Sequence, residues 1–123
     1  MQVGFLDFYG GVLGVREDRT ALLANNIANA DTPNYKALDV PFDAALASQL
    51  AGTELGGDAS GPAAAGPLYR ANGTVGLNGN DVSLDTERVE SAANGEAMAG
   101  AVIFLRQSTV DLVTALRPNP GGV

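Results

Sequence analysis

Apolar positions recur at helical spacing near both ends of this 123-residue chain, and the middle carries no such pattern. In the C-terminal segment Met98, Val102, Leu105, Thr109, Leu112 and Leu116 follow at intervals of 4, 3, 4, 3 and 4, a heptad-like stripe. Ala101, Ile103, Phe104 and Val113 widen it, and between Ala97 and Leu116 only Arg106 and Asp111 are charged. One partner helix covers one stripe, so a helix apolar over most of its circumference needs further cover. The pattern predicts a helix that starts at Ser83 as N-cap, with Asp85 and Glu87 in the first turn facing the positive helix end. It stops at Arg117-Pro118, because Pro118 and Pro120 cannot continue it. At the other end Leu6, Tyr9, Leu13, Thr20, Leu23 and Ile27 mark a second seam, interrupted by Arg16-Glu17-Asp18-Arg19. Gly4, Gly10, Gly11 and Gly14 each weaken that helix by up to ~1 kcal/mol, so its firm part is expected from Val12 to Ala28.

The first helix runs out into a well-specified turn. Asn25, Asn26 and Asn29 are poor helix-interior residues, and Asn29 is a candidate cap. Thr32 is pushed to an extended conformation by Pro33, and Pro33-Asn34 suits the centre of a β-turn with Asn34 at positive φ. Tyr35 follows as a large anchor with a polar tip. Beyond it, Phe42 to Leu50 has the composition for one or two helical turns. The stretch from Ala51 to Pro67 is Ala/Gly/Pro-rich and reads as linker. Asn72-Gly73 and Asn78-Gly79 are turn dipeptides, and Leu68-Tyr69-Arg70 with Thr74-Val75 allows a short β-hairpin.

The expected architecture is therefore mainly α. N- and C-terminal helices pair as a coiled-coil-like α-hairpin, joined by a long irregular Gly/Ala-rich middle with at most a short β-hairpin. In segments this is an axial helix over 1–30, a corner and loose arm over 31–82, a second axial helix over 83–117 and a flexible tail over 118–123. The helix-packing candidates are Leu13, Leu23, Ile27, Met98, Val102, Leu105, Leu112 and Leu116. No third strong helix is offered to cover what remains, so other copies or other chains are the simplest supply of that surface.

Composition narrows the chemistry. Fourteen acidic against seven basic residues give a formal charge of -7, which disfavours nucleic acid and anionic lipid as partners. There is no Cys and no His, which removes thiol catalysis, disulfides, ordinary zinc sites and His base chemistry. Asn78, Asn80, Asp81, Asp85 and Glu87 lack the carboxylate ladder and central Gly of a calcium loop. Gly10-Gly11 with Gly14 follows no strand and is not a dinucleotide fingerprint. No nucleophile, base and oxyanion site come together, so neither an enzyme nor a cofactor is expected. The first basic residue is Arg16, unlike a secretory signal. The uninterrupted apolar run from Ala97 to Leu105 is short of the ~20 residues of a bilayer span, so membrane insertion is not expected.

Two stretches carry a resemblance. Ala24-Asn25-Asn26-Ile27-Ala28-Asn29-Ala30-Asp31-Thr32-Pro33-Asn34-Tyr35 resembles the "A-N-N-hydrophobic-A-N-A-x-T-P-G-Y" corner of bacterial flagellar rod and hook proteins. Its continuation, Lys36-Ala37-Leu38-Asp39, looks like the wording of the proximal-rod type. Gly79-Asn80-Asp81-Val82-Ser83-Leu84-Asp85-Thr86-Glu87 resembles the "G-N-N-V-x-L-x-x-E" lead-in to that family's C-terminal helix. Asn34 stands where Gly is usual, and Met98 where Tyr would be expected. The resemblance implies a structural subunit of the proximal rod of the flagellar basal body, self-assembling through its terminal helices into the shaft that transmits torque from the MS ring. It implies export through the flagellar type III apparatus without a cleaved signal peptide. The implied partners are copies of itself, other proximal rod proteins, the MS-ring protein, the MS-ring–rod adaptor and the export apparatus. The corner residues implied to serve assembly are Asn25, Asn26, Ile27, Asn29, Asp31, Thr32, Pro33, Asn34 and Tyr35. The alternative is a helical adaptor or export chaperone-like module presenting an apolar groove.

Overall fold

The computed structural model describes residues 4–54, 66–70 and 74–118. Three helices and one short two-stranded ladder follow in the order α1 (Gly4–Ala28), β1 (Leu38–Asp39), α2 (Phe42–Glu54), β2 (Leu68–Tyr69) and α3 (Leu84–Leu116). The chain is mainly α, as the patterning predicts. The first and last helices pack antiparallel, with Asn26 of α1 against Glu87 of α3 at one end and Tyr9 against Phe104 towards the other. At ~1.5 Å per residue, the 33 residues of α3 run about 50 Å and the 25 residues of α1 about 38 Å.

The inward line of α3 is Glu87, Ser91, Asn94, Met98, Ala101, Leu105, Ser108 and Leu112, buried or half-buried at intervals of 4, 3, 4, 3, 4, 3 and 4. This is a heptad seam, rotated slightly from the apolar stripe. Polar residues occupy its N-terminal half and apolar ones dominate the C-terminal half. Opposite it, Tyr9, Val12, Arg16, Arg19, Leu23 and Asn26 line α1, with Leu23 and Asn26 at 0% exposure. Hydrogen bonds explain why the seam runs through polar positions. Asn94 Nδ2 donates to the Arg16 carbonyl (3.1 Å) and to Thr20 Oγ1 (2.9 Å).

Several expectations change. α1 is helical from Gly4, earlier than its glycines suggested, and Gly11 and Gly14 explain themselves at the α2 contact. A Cβ on Gly11 would sit 3.3 Å from Leu46 Cδ1, and one on Gly14 would sit 2.9 Å from Gln49 Nε2. The glycines thus let α2 lie close on α1, a packing use that outweighs their helix cost. α2 is a 13-residue helix, longer than the turn or two expected, and it is the third helix that the patterning did not offer. Its Phe42 ring carries the Arg16 guanidinium at 4.1 Å. α2 packs on α1 and, among the described residues, makes no contact with α3.

The proposed hairpin does not form. Leu68 and Tyr69 pair antiparallel with Asp39 and Leu38 instead, and Thr74 and Val75 are outside any strand. The distant partner wins because Arg70 N–H can donate to the Ala37 carbonyl at 2.8 Å while its side chain reaches two acids. Of the linker expected from Ala51 to Pro67, residues 51–54 belong to α2 instead, because the helix runs on to Glu54; residues 55–65, the Asn72-Gly73 turn and the tail beyond 118 lie outside the described residues.

Candidate assembly interface: a bonded corner and an open helix face

Asn26 organises the corner. Its Nδ2 donates to the Leu38 carbonyl (2.7 Å) and to Glu87 Oε2 (3.0 Å). Its Oδ1 accepts from Leu38 N–H (3.0 Å) and Tyr35 Oη–H (3.2 Å). All four hydrogen-bonding positions of the amide are used, which is why an Asn can stand fully buried in a helix. Burial, with the charge of Glu87 second, pushes the Tyr35 phenol up and keeps it a donor.

The turn itself forms as Pro33-Asn34 predicts. Tyr35 N–H donates to the Thr32 carbonyl (3.3 Å), and Asn34 takes φ 61°. Among the described non-glycine residues it alone has positive φ. Asn29 does not share that positive φ, but it stands directly after α1 and bonds its last turn: its N–H and its Nδ2 both donate to the Asn25 carbonyl (3.1 and 2.8 Å), and its Oδ1 accepts from Thr32 Oγ1 (3.0 Å). The exposed residues Asn25, Asp31, Thr32, Pro33 and Asn34 form the outer surface of the corner, and Ile27 is half-buried.

The loop before α3 is bonded across the corner. Asn80 Nδ2 donates to the carbonyls of Asn29 (2.8 Å) and Thr32 (2.7 Å), Asn34 N–H donates to Asn78 O (2.9 Å), and Asp81 Oδ1 accepts from Ala37 N–H (2.7 Å). Gly79, at φ +80°, lies so close that a Cβ there would fall 2.2 Å from Asn34 Oδ1. The two sequence motifs are therefore two halves of one structure. Ser83 then caps α3, accepting from Thr86 N–H at 3.4 Å.

Beneath the corner lies an ion-pair cluster. Arg19 binds Asp39 (2.8 Å) and Glu90 (2.5 Å), and Arg70 binds Asp39 (2.6 Å) and the fully buried Glu87. Glu87 thus does more than complement the helix end. The Arg19 guanidinium is raised chiefly by its bond to Asp39. Burial alone would push the Asp39 carboxyl up, but hydrogen bonds from Arg19, Arg70 and the Val40 N–H overcome it and hold it at about 2. Arg16, by contrast, is lowered by burial and by its neighbour Arg19. Arg19, Arg70 and Asp39 were not singled out from sequence. The signal was only that Arg19 interrupted the apolar seam of the first helix, Arg70 ended a candidate strand and Asp39 ended the corner stretch.

Away from the corner the polar bonds thin out and an apolar surface opens. Met98, Leu105 and Leu112 face α1 half-buried and Leu13 on α1 is half-buried, while Val102 and Leu116 lie exposed on the flanks of α3. Ile103, Val110 and Val113 form its outer face, with Ile103 68% exposed. A shallow cleft of about 460 Å³ between the helices is lined by Phe5, Tyr9, Phe104, Ser108, Asp111 and Leu112. By length and composition α3 could also cross a bilayer; the run ending at Leu105 understated this because Arg106 interrupts it. That charge and Asp111 each cost about 2.5–3.5 kcal/mol at a bilayer centre, and Glu87 and Asn94 tie the helix to α1.

A corner held by polar bonds and a long helix with an unpartnered apolar face define a structural, helical-hairpin class of protein. Comparison with known proteins agrees. The family model described as flagella basal body rod protein matches residues 16–36, the second half of α1 and the corner. The flagellar basal body rod protein FlgB of Cereibacter sphaeroides is 40% identical over 124 residues, covering 93% of this chain and 97% of the relative. FlgB of Salmonella typhimurium is 36% identical over 104 residues (72% of this chain, 75% of the relative), and FlgB of Escherichia coli is 35% identical over 107 residues with the same coverage. The chain belongs to the FlgB family of flagellar basal body rod proteins, a family of structural proteins and not of enzymes. Membership displaces the adaptor or chaperone alternative.

Proposed function

We propose that the protein builds the proximal part of the rod by packing the outer face of α3 against neighbouring subunits, both copies of itself and other rod proteins. The observation that carries this reading is the row Ile103, Val110 and Val113, apolar and exposed on the side of α3 turned away from α1. Burying such a row contributes roughly 1.5–3 kcal/mol per fully covered side chain, which repeats at every contact of a tube. The corner would hold the two helices in register so that each subunit presents the same ridge. Contacts at the base with the MS-ring protein and the MS-ring–rod adaptor, passage through the type III export apparatus without a cleaved signal, and transmission of torque along the shaft complete the reading. They rest on family membership alone.

The test is incorporation. Ile103→Asp and Val113→Asp place a charge on the outer face and touch neither α1 nor the corner. Each variant should be exported at the normal level, recovered as folded chain, and absent from purified basal bodies of cells lacking the native gene. Rods that contain either variant at the native level would refute the packing assignment.

A further inference from the structure

We propose that residues 68–70 are a clasp that makes pairing of the two terminal helices at the corner conditional on the middle of the chain having folded back. The argument starts from Glu87. It sits on the inward line of α3 at 0% exposure, between α1 and the β1–β2 ladder. Its Oε2 accepts from Asn26 Nδ2 (3.0 Å), which carries no charge, and its Oε1 is paired with Arg70 Nη1. The cation that α1 supplies nearby, Arg19, is engaged by Asp39 and Glu90. The terminal helices therefore bring a buried carboxylate to their interface without the cation that balances it. A carboxylate buried without its partner strongly opposes the packing that buries it. Arg70 comes from the middle of the chain and meets that need.

The clasp is held by charge and backbone more than by apolar contact. β2 is two residues long, and Leu68 and Tyr69 stay 61% and 75% exposed. What fixes it is the Arg70 N–H on the Ala37 carbonyl (2.8 Å), Arg70 Nη2 on Asp39 Oδ2 (2.6 Å), and the pair with Glu87. Asp39 is in turn held by Arg19 on α1. One guanidinium so joins β1, α1 through Asp39, and α3 through Glu87. A light strap tied through one side chain opens and closes as a unit. When it opens, the charged Glu87 can no longer remain at the interface, and the corner end of the hairpin loosens with it. This device is intramolecular and holds whatever the subunit assembles with.

Hydrogen exchange on the full chain tests it, comparing native protein, Arg70→Met and the double variant Arg70→Met/Glu87→Gln. Arg70→Met should speed exchange at least tenfold at residues 84–94 of α3 and around Asn26 and Leu38, well beyond the strap itself. The double variant removes the charge that needs a cation, so helix protection should return while residues 68–70 stay loose. Loosening confined to residues 68–70 in Arg70→Met would overturn the clasp. So would a double variant as unprotected in the helices as the single one.

Discussion

Asp39 shows how much of the corner depends on individual charges. Its carboxyl falls from an ordinary 3.8 to about 2, so the folded state holds the ionised form more tightly than the unfolded chain does. A depressed carboxylate contributes stability that is present above the unfolded value and lost as pH falls through the folded one. The window is therefore about pH 4 down to pH 2. Solvent reaches part of this side chain, and the screened contribution is on the order of 1–2 kcal/mol. Native protein should lose that amount between those limits in urea titrations. Asp39→Asn should be less stable at neutral pH, and the gap to native should close as the acid limit is approached. A gap of constant size from pH 6 to 2 would mean that the two arginines do not depend on this charge. Asn34 and Gly79 show the other residue-scale device, shape. Two motifs far apart in the sequence approach so closely that Asn34 takes φ 61° and Gly79 has no room for a Cβ.

The helical elements were legible wherever amphipathic periodicity or capping chemistry spoke. Ser83 and Arg117 bound α3 as read, because an N-cap hydroxyl and a following proline are local signals. The Pro33-Asn34 turn was legible for the same reason. The seam was read with a rotational offset because half of it is polar: Glu87, Ser91 and Asn94 on α3 and Arg16, Arg19 and Asn26 on α1. An apolar-period argument cannot see positions whose burial depends on hydrogen bonds supplied from elsewhere. The β1–β2 ladder was missed because its paired residues, Leu38 with Tyr69 and Asp39 with Leu68, are far apart in the sequence and each strand is two residues long. α2 was underestimated because its interface is made on α1 by glycines, which propensity counts only as a cost. This last point predicts a contrast within one helix. Gly10 has open space at its Cβ position, so Gly10→Ala should stabilise α1 by about 0.5–1 kcal/mol. Gly11→Ala, tight against Leu46 and Leu50, should gain nothing or lose stability as α2 is pushed away. Thermal unfolding of the two variants decides it, and equal gains would mean that α2 does not pack there.

For the whole molecule, the distribution of bonds is asymmetric along the hairpin. Near the corner the helices are joined by Asn26, Glu87, Asn94 and the ion-pair cluster, with a second layer from the loop at Asn80. Towards the far end α3 is joined to α1 through half-buried side chains such as Leu105 and Leu112 and the tilted contact of Tyr9 with Phe104, with α2 out of reach. Local stability follows local burial and bonding, so opening free energy should fall along the hairpin from the corner outwards. In the isolated full chain, amides over residues 84–94 should exchange at least tenfold more slowly than those over residues 100–114. In the assembled rod the difference should shrink, because neighbours that bind only the ordered helix stabilise it by mass action. The cost of ordering the far half is then met at assembly, which weakens each contact but ties folding of that half to correct placement. Uniform protection along α3 in the free chain would mean that its outer apolar face needs no neighbour for order, and the case for α3 as the assembly surface would then have to rest on the Ile103 and Val113 variants alone.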